Sequence, residues 1–240
     1  MTSSSSKPWV LAIETSNPSS APEDTTEGAT EDWAYGPGVA AGWAIGETPF
    51  DTEPLAPTAR HDDDLMPAID RLATRNGLSP RAISAVAVSI GPGGYTGLRI
   101  AVVTAKALAL SCGAETYAVP TAAIAGLGVD APMLVLLASK RDTVWAAIAT
   151  PGEEPEPIGT LDAAQIRSLM DERGIGRAIG DRFVPDALRE VVPEWVPPKL
   201  GPVRCLEATR PGHRVDPLRL APMYAREPEA VRKWRELGRG

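Results

Sequence analysis

Short apolar runs along the chain alternate with segments of helical periodicity, and this pattern predicts strands and helices in turn. Such alternation is typical of an α/β fold. The clearest strand prediction is residues 83–90, a largely apolar run that is followed directly by an Ala-rich helix. Further strands are predicted at residues 9–13, 39–45, 116–119, 133–138, 143–149 and 178–179. Helices are predicted to follow Asp64 and to begin at Leu98, Thr121, Asp162 and Glu227.

A glycine-rich loop, GPGGYTGLR at residues 91–99, joins that strand to its helix. Glycine permits positive φ and close approach of other atoms, and Thr96 is a candidate helix cap. The loop resembles a phosphate-binding loop (a phosphate cradle), because free N–H groups at a helix start attract anions. It matches neither common template, since there is no G-x-x-x-x-G-K-[ST] and Thr96 occupies the third glycine position of G-x-G-x-x-G. A purely structural turn is an equally good interpretation.

The helix after this loop carries small residues at every fourth position, which form one continuous ridge: Gly97, Ala101, Ala105, Ala109 and Gly113. Such a ridge permits unusually close packing. The ridge packs either against the chain's own sheet or against a helix of another subunit. Arg99, Val103 and Lys106 lie on a different, more exposed face.

The composition excludes several classes of protein. The chain has 240 residues with a net charge of −7, and residues 1–70 carry thirteen acids against Lys7 and Arg60. Autonomous nucleic-acid binding is therefore not expected, although residues 204–240 are basic. No apolar run approaches the roughly 20 residues of a membrane helix, so we expect a soluble, cytoplasmic protein with no membrane contact. Cys112 and Cys205 lie far apart and indicate a reducing compartment.

Catalytic motifs are missing. His61 and His213 have no partner at metal-ligand spacing, and no G-x-S-x-G elbow occurs. The aspartates at 62–64 fit a helix start better than a metal site. Glu14 ends a predicted strand beside Thr15, where phosphate-binding groups often lie in α/β folds, although a carboxylate that fixes the turn is an equally good interpretation. We therefore predict no catalytic residue and no metal site.

Several stretches together resemble the TsaB (YeaZ) family, the bacterial partner subunits in synthesis of N6-threonylcarbamoyladenosine beside the tRNA anticodon. The stretches are WVLAIETS at 9–16, the helix after His61, GPGGYTGLRIAVVTAKALAL at 91–110, and PMYAR at 222–226. The family's loop is usually GPGSFTGLR, so Gly94 and Tyr95 are conservative replacements. Residues 151–215 carry no resemblance, and the insertion at 17–38, expected to be mobile, replaces a short turn.

The resemblance implies an actin-like (ASKHA, ribonuclease H-like) α/β fold of two small lobes. The expected first lobe is 1–113, completed by a C-terminal helix within 216–240, and the second is 114–215. It also implies an accessory subunit without catalysis of its own, because the related catalytic subunit TsaD has a metal-binding H-x-x-x-H where this chain has Thr121–Ala125. The expected partners are a TsaD-like subunit and a TsaE-like ATPase, with homodimerisation in isolation and tRNA contacted only through the complex. No intrinsic cofactor is expected, whereas the complex would use ATP.

Two sets of site residues follow. The resemblance makes the first-lobe helix a partner interface, formed by Tyr95, Gly97, Arg99, Ala101, Ala105 and Ala109. The candidate anion or nucleotide contacts are Glu14, Thr15, Gly93 and Thr96. Two other classes stay open: a small ASKHA phosphotransferase, for which no second phosphate loop D-x-G-[ST] is found, and a metallopeptidase, which lacks its ligand pair.

Overall fold

The computed structural model describes residues 7–16, 36–56, 61–180, 183–226, 233–235 and 237–238. Most of the insertion predicted to be mobile lies outside these residues, as does most of the predicted C-terminal helix. Within them the chain folds into two β-sheets with helices on their faces.

The first sheet has six strands in the order β11-β5-β4-β1-β2-β3. These strands are β1 (Trp9–Glu14), β2 (Gly38–Gly42), β3 (Asp51–Pro54), β4 (Ile83–Gly91), β5 (Glu115–Pro120) and β11 (Arg214–Val215). The first three form an antiparallel meander, and β4 and β5 add to β1 in parallel. Residues alternate along β1, so that Trp9, Leu11 and Ile13 face one core while Val10 and Ala12 face another.

The second sheet has five strands in the order β10-β9-β6-β7-β8. Its strands are β6 (Met133–Lys140), β7 (Thr143–Ala149), β8 (Glu156–Leu161), β9 (Arg177–Gly180) and β10 (Glu194–Val196). Again the first three strands are antiparallel and the last two add in parallel. The two sheets thus repeat one topology, and the predicted fold of two similar lobes is confirmed.

The helices form three layers around these sheets. On the outer face of the first sheet lie α1 (His61–Arg75) and α2 (Tyr95–Cys112), and on the outer face of the second lie α4 (Ala163–Arg173) and α5 (Asp186–Arg189). Between the sheets lie α3 (Thr121–Ala125) and α6 (Pro202–Ala208). Their buried side chains belong to one continuous core with the inner faces of both sheets.

The predicted lobe boundary at residue 113 is wrong. Hydrogen bonding places β5 beside β4 and β11 beside β5, so both strands complete the first sheet. The chain then returns to the first lobe, where Leu220 is buried against the first sheet. The second lobe therefore begins after α3.

Arginines of α1 join the helix to the edge strand β3. Arg71 contacts Glu53 and Asp64 at 2.6 and 3.0 Å, and Arg75 contacts Asp51 and Glu53 at 2.8 and 2.6 Å. The carboxyl of Asp64 also accepts the Ala56 N–H, and the Arg71 guanidinium lowers the pKa of Asp64. The run of aspartates thus begins a helix, as predicted, and Asp64 anchors it.

Among the described helices, α2 alone is long and apolar enough to cross a membrane by length and composition. It lies along the first sheet, and Leu98, Ala101 and Val102 are buried there. Core helices of lobes in soluble proteins meet the same two criteria, so length and composition do not by themselves indicate a membrane span.

Candidate functional site

The glycine loop lies where β4 ends, packed against the end of β1. Only glycine fits at position 93 without a shift of the backbone, because a Cβ there would lie 2.0 Å from the carbonyl oxygen of Ser16. The next residue fixes the same contact, since the Gly94 N–H donates to Ser16 O at 2.5 Å. Gly91 has φ +109° and follows the same logic, since its Cβ would meet the Met223 carbonyl oxygen at 2.4 Å. The glycines therefore serve close backbone packing within the chain.

Buried polar groups at the end of β1 bond to one another and to this loop. The N–H and the hydroxyl of Ser16 both donate to Glu14 Oε1 at 2.6 Å. The Thr15 hydroxyl donates to Gly97 O at 2.9 Å, and Ser89 Oγ accepts the Thr15 N–H at 3.4 Å. Glu14, Thr15, Ser16 and Ser89 are at most 1% exposed.

A buried thiol lies beside the ends of β1 and β4. Cys205 of α6 is 0% exposed, and its sulfur lies 3.7 Å from Ile13 O. Burial raises the pKa of the Cys205 thiol, and the nearby Glu14 carboxylate raises it further. The thiol is therefore held in its neutral form beside the Glu14 cluster. Sequence reasoning missed this neighbour, because 192 residues separate Cys205 from Ile13.

The segment 222–226 crosses the glycine loop and reaches the second lobe. The Met223 N–H donates to Ile90 O at 2.7 Å, and the Tyr224 ring stacks on Tyr95 with centroids 5.0 Å apart. At the other end, Arg226 donates to Ala138 O at 2.7 Å and to Thr143 O and Oγ1 at 2.9 and 2.7 Å. In the sequence this segment stands out only by its resemblance to the TsaB family, whereas the structure shows which groups of the second lobe Arg226 contacts.

The small-residue ridge of α2 is not a partner surface. Ala101, Ala105 and Ala109 are at most 1% exposed and pack against the first sheet, and Gly97 is also buried. The partner-interface prediction is therefore wrong for these four residues, and packing on the chain's own sheet is correct. Tyr95 is half exposed and Arg99 is exposed, with the guanidinium donating to the Tyr95 hydroxyl at 3.0 Å.

Apolar side chains are exposed along α2. Val103 and Leu110 are 64% and 55% exposed, and Leu218 beside the helix is 71% exposed. The Nζ of Lys106 donates to Leu218 O at 3.2 Å, which attaches this neighbouring turn to the helix. We name Tyr95, Arg99, Val103, Leu110 and Leu218 the α2 face.

Two of the four predicted anion contacts are buried within the chain. Glu14 and Thr15 are 1% exposed, so burial contradicts the prediction for these residues. Gly93 is half-buried and packs against Ser16 O, and its role as an anion contact stays a prediction. Thr96 is exposed, and its side chain is not the predicted cap, because Gly94 is the N-cap and no side-chain cap bond forms. The loop is thus a packed turn rather than an open cradle.

All five residues of α3 are buried, from Thr121 to Ala125. The side chains are one hydroxyl and four alkyl groups, and Arg204 closes the end of the helix by donating to the carbonyls of Ile124 and Leu127. Within the described ranges, no three His, Cys, Asp or Glu side chains come together as metal ligands.

A cavity of about 410 Å³ lies at the opposite end of the lobe junction, near the end of β7. Its floor is made of small residues such as Ala123, Gly126 and Ala149. Two charged groups of its lining are engaged within the chain, because Arg210 donates to the Glu207 and Thr209 carbonyls and Glu154 contacts His213 at 3.1 Å.

The repeated sheet topology and the packed junction define a two-lobed α/β protein of the actin-like type. Two solved structures share this fold. "YeaZ from Pseudomonas aeruginosa" is 19% identical with a TM-score of 0.65, and the match covers 90% of this chain and 99% of that one. A Pseudomonas aeruginosa protein described as uncharacterized with similarity to peptidase YeaZ is 19% identical with a TM-score of 0.66, and the match covers 91% of this chain and 100% of that one.

Sequence comparison agrees with this class. Residues 53–164 match the family model of TsaD, tRNA N6-adenosine threonylcarbamoyltransferase. A protein of that name from Anaeromyxobacter dehalogenans is 42% identical over 60 residues, which are 25% of this chain and 18% of that protein's length. The chain thus spans less than a fifth of this relative. The predicted resemblance is confirmed in these terms: the fold is that of YeaZ, and residues 53–164 match the TsaD family model.

Proposed function

We propose that the chain is a non-catalytic subunit of the system that makes N6-threonylcarbamoyladenosine in tRNA, and that it pairs with a TsaD-like catalytic subunit. The YeaZ fold over about nine-tenths of the chain and the TsaD family match over residues 53–164 support a role in this system. The buried alkyl side chains of α3 support the accessory role, because the resemblance places the metal-binding histidines of the catalytic subunit in this stretch.

The observation that carries the pairing is the α2 face. Helical spacing places Tyr95, Arg99, Val103 and Leu110 along one side of α2, opposite the side that packs on the sheet. Exposed contiguous apolar surface of this kind, with a charged group beside it, is typical of protein interaction sites. Because the ridge is buried, the partner would contact these longer side chains instead of the alanines.

The remaining partners follow the same proposal. A TsaE-like ATPase would join the pair, ATP would be used by the assembly, and tRNA would be reached through the complex. In isolation a second copy would cover the α2 face as a homodimer. The cytoplasm is the proposed compartment. Burial of Glu14 and Thr15 argues against the alternative phosphotransferase, since neither side chain is open to a nucleotide.

Co-purification with the TsaD-like subunit of the same organism tests the proposal. Val103→Asp and Leu110→Asp place a carboxylate in the proposed contact, and loss of a central apolar contact costs about tenfold or more in affinity. Phe183→Asp is the matched control, because Phe183 is 60% exposed on the second lobe. Threonylcarbamoyl transfer to tRNA is then assayed with and without each variant. Equal complex formation by the α2 variants and the control refutes the pairing, and transfer that does not depend on the chain refutes the function.

A further inference from the structure

We infer that residues 222–226 are an intramolecular strap that closes one end of the junction between the lobes, with Arg226 as its clasp. The inference stands on contacts within this chain and does not rest on the proposed function. The strap runs from the end of β4 in the first lobe to the turn between β6 and β7 in the second.

The first end of the strap is fixed by close backbone packing. The Met223 N–H bonds to Ile90 O, and the Met223 carbonyl lies so near Gly91 that any side chain there would clash. Met223 and Ala225 also pack against the core shared by the two sheets. The strap thus covers the start of the glycine loop and packs on the hydrophobic cluster that contains Cys205.

The second end is held by one charged side chain. Arg226 makes three hydrogen bonds to the residues that flank the β6–β7 turn, two of them to backbone carbonyls. Ala138, one acceptor, has φ +53°, a conformation that a non-glycine residue keeps only when its surroundings fix it. Burial lowers the pKa of Arg226, but an arginine stays charged, so these bonds are charge-assisted.

A third contact holds the middle of the strap. The Thr160 hydroxyl of β8 donates to Ala225 O at 3.0 Å. The second lobe therefore contacts the strap from three strands, β6, β7 and β8. Opening of the junction at this end requires these contacts to break.

Cys205 provides a built-in probe of this closure. Its thiol is 0% exposed and lies next to the ends of β1 and β4, in the hydrophobic cluster against which Met223 and Ala225 of the strap pack. Cys112 is half-buried and is removed as Cys112→Ser, which leaves a single thiol. The rate of Cys205 labelling by an aromatic disulfide reagent then measures opening of this end of the junction.

In this background, Arg226→Ala should speed Cys205 labelling by about tenfold or more, and should speed deuterium exchange at the Met223 amide similarly. Arg219→Ala is the matched control, since Arg219 is an exposed arginine of the same returning segment. Arg226→Lys keeps the charge but loses the forked geometry, so it should label at an intermediate rate.

Circular dichroism separates opening from unfolding. If Arg226→Ala loses the circular dichroism spectrum of the folded protein, Thr160→Val is used as the test variant instead, because it removes only the hydrogen bond to Ala225 O. Faster Cys205 labelling in a folded variant supports the strap. Labelling at the rate of Arg219→Ala overturns it, as does faster exchange at Met223 without faster labelling of Cys205.

Discussion

Gly93→Ala is the substitution that tests most directly whether the glycine loop is a packed turn. The new Cβ would lie 2.0 Å from Ser16 O, whereas real Cβ atoms essentially never come closer than 3.0 Å. Both atoms belong to the backbone or are bonded to it, so no flexible side chain can move aside. The loop must shift, and the Gly94 N–H to Ser16 O bond of 2.5 Å must lengthen or break.

The expected cost follows from these two effects. Overpacking costs about 1–3 kcal/mol and a lost buried hydrogen bond about 1 kcal/mol, so the free energy of unfolding should fall by about 2–4 kcal/mol. In a chain of this size each kcal/mol lowers Tm by about 2–4 °C, which gives a fall of about 4–16 °C. Urea unfolding followed by circular dichroism measures the free energy, and calorimetry measures Tm.

Gly176→Ala is the control for this measurement. No atom lies within 4 Å of a Cβ at Gly176, so its unfolding free energy should stay within about 0.5 kcal/mol of the wild type. If Gly93→Ala is as stable as Gly176→Ala, the close contact with Ser16 is absent in solution, and the loop is open enough for the phosphate-cradle interpretation to return.

Three further substitutions test the helices. Because Arg71 lowers the folded pKa of Asp64, the ionised carboxylate stabilises the fold above the unfolded pKa of about 4, and this stability is lost as pH falls through the folded pKa. Asp64→Asn should lower the free energy of unfolding by about 1 kcal/mol at pH 7. It should also reduce the change of that free energy, measured by urea unfolding, between about pH 5 and pH 2. Asp162→Ala removes the capping box of α4 and should cost about 1 kcal/mol, and an unchanged urea midpoint contradicts it. Ala105→Trp should abolish folding because Ala105 is 0% exposed, while Val103→Trp keeps a native spectrum; a folded Ala105→Trp would restore the ridge as a surface.

The parts of the fold that could be predicted are those whose pattern has one meaning. The run at 83–90 is buried on both faces and appears as β4, and the segment Thr143–Ala149 is a strand as predicted. The missed strands β3 and β8 are edge strands that contain proline and polar residues, so no apolar period marks them. The short elements between 186 and 215 carry too few residues for a period to show.

The candidate site was harder to predict, because its partners are distant in sequence. The glycine loop was evident, but whether it faces a ligand or its own chain depends on Ser16 and Met223, which only the fold brings there. The alanine ridge suited a sheet and a partner helix equally, since small residues permit both. The exposure of Val103 and Leu110 shows which side of α2 faces away from the sheet, and this exposure depends on the tertiary structure.

The core between the sheets has a consequence for how the molecule unfolds. Val10 and Ala12 of the first sheet and Val135 and Leu137 of the second are buried in one cluster, together with α3 and α6. A fragment that ends between the lobes would expose this whole inner face to water, so neither half should persist as an autonomous folding unit. Thermal denaturation should show one cooperative transition, and a destabilising substitution in either sheet should lower the stability of both.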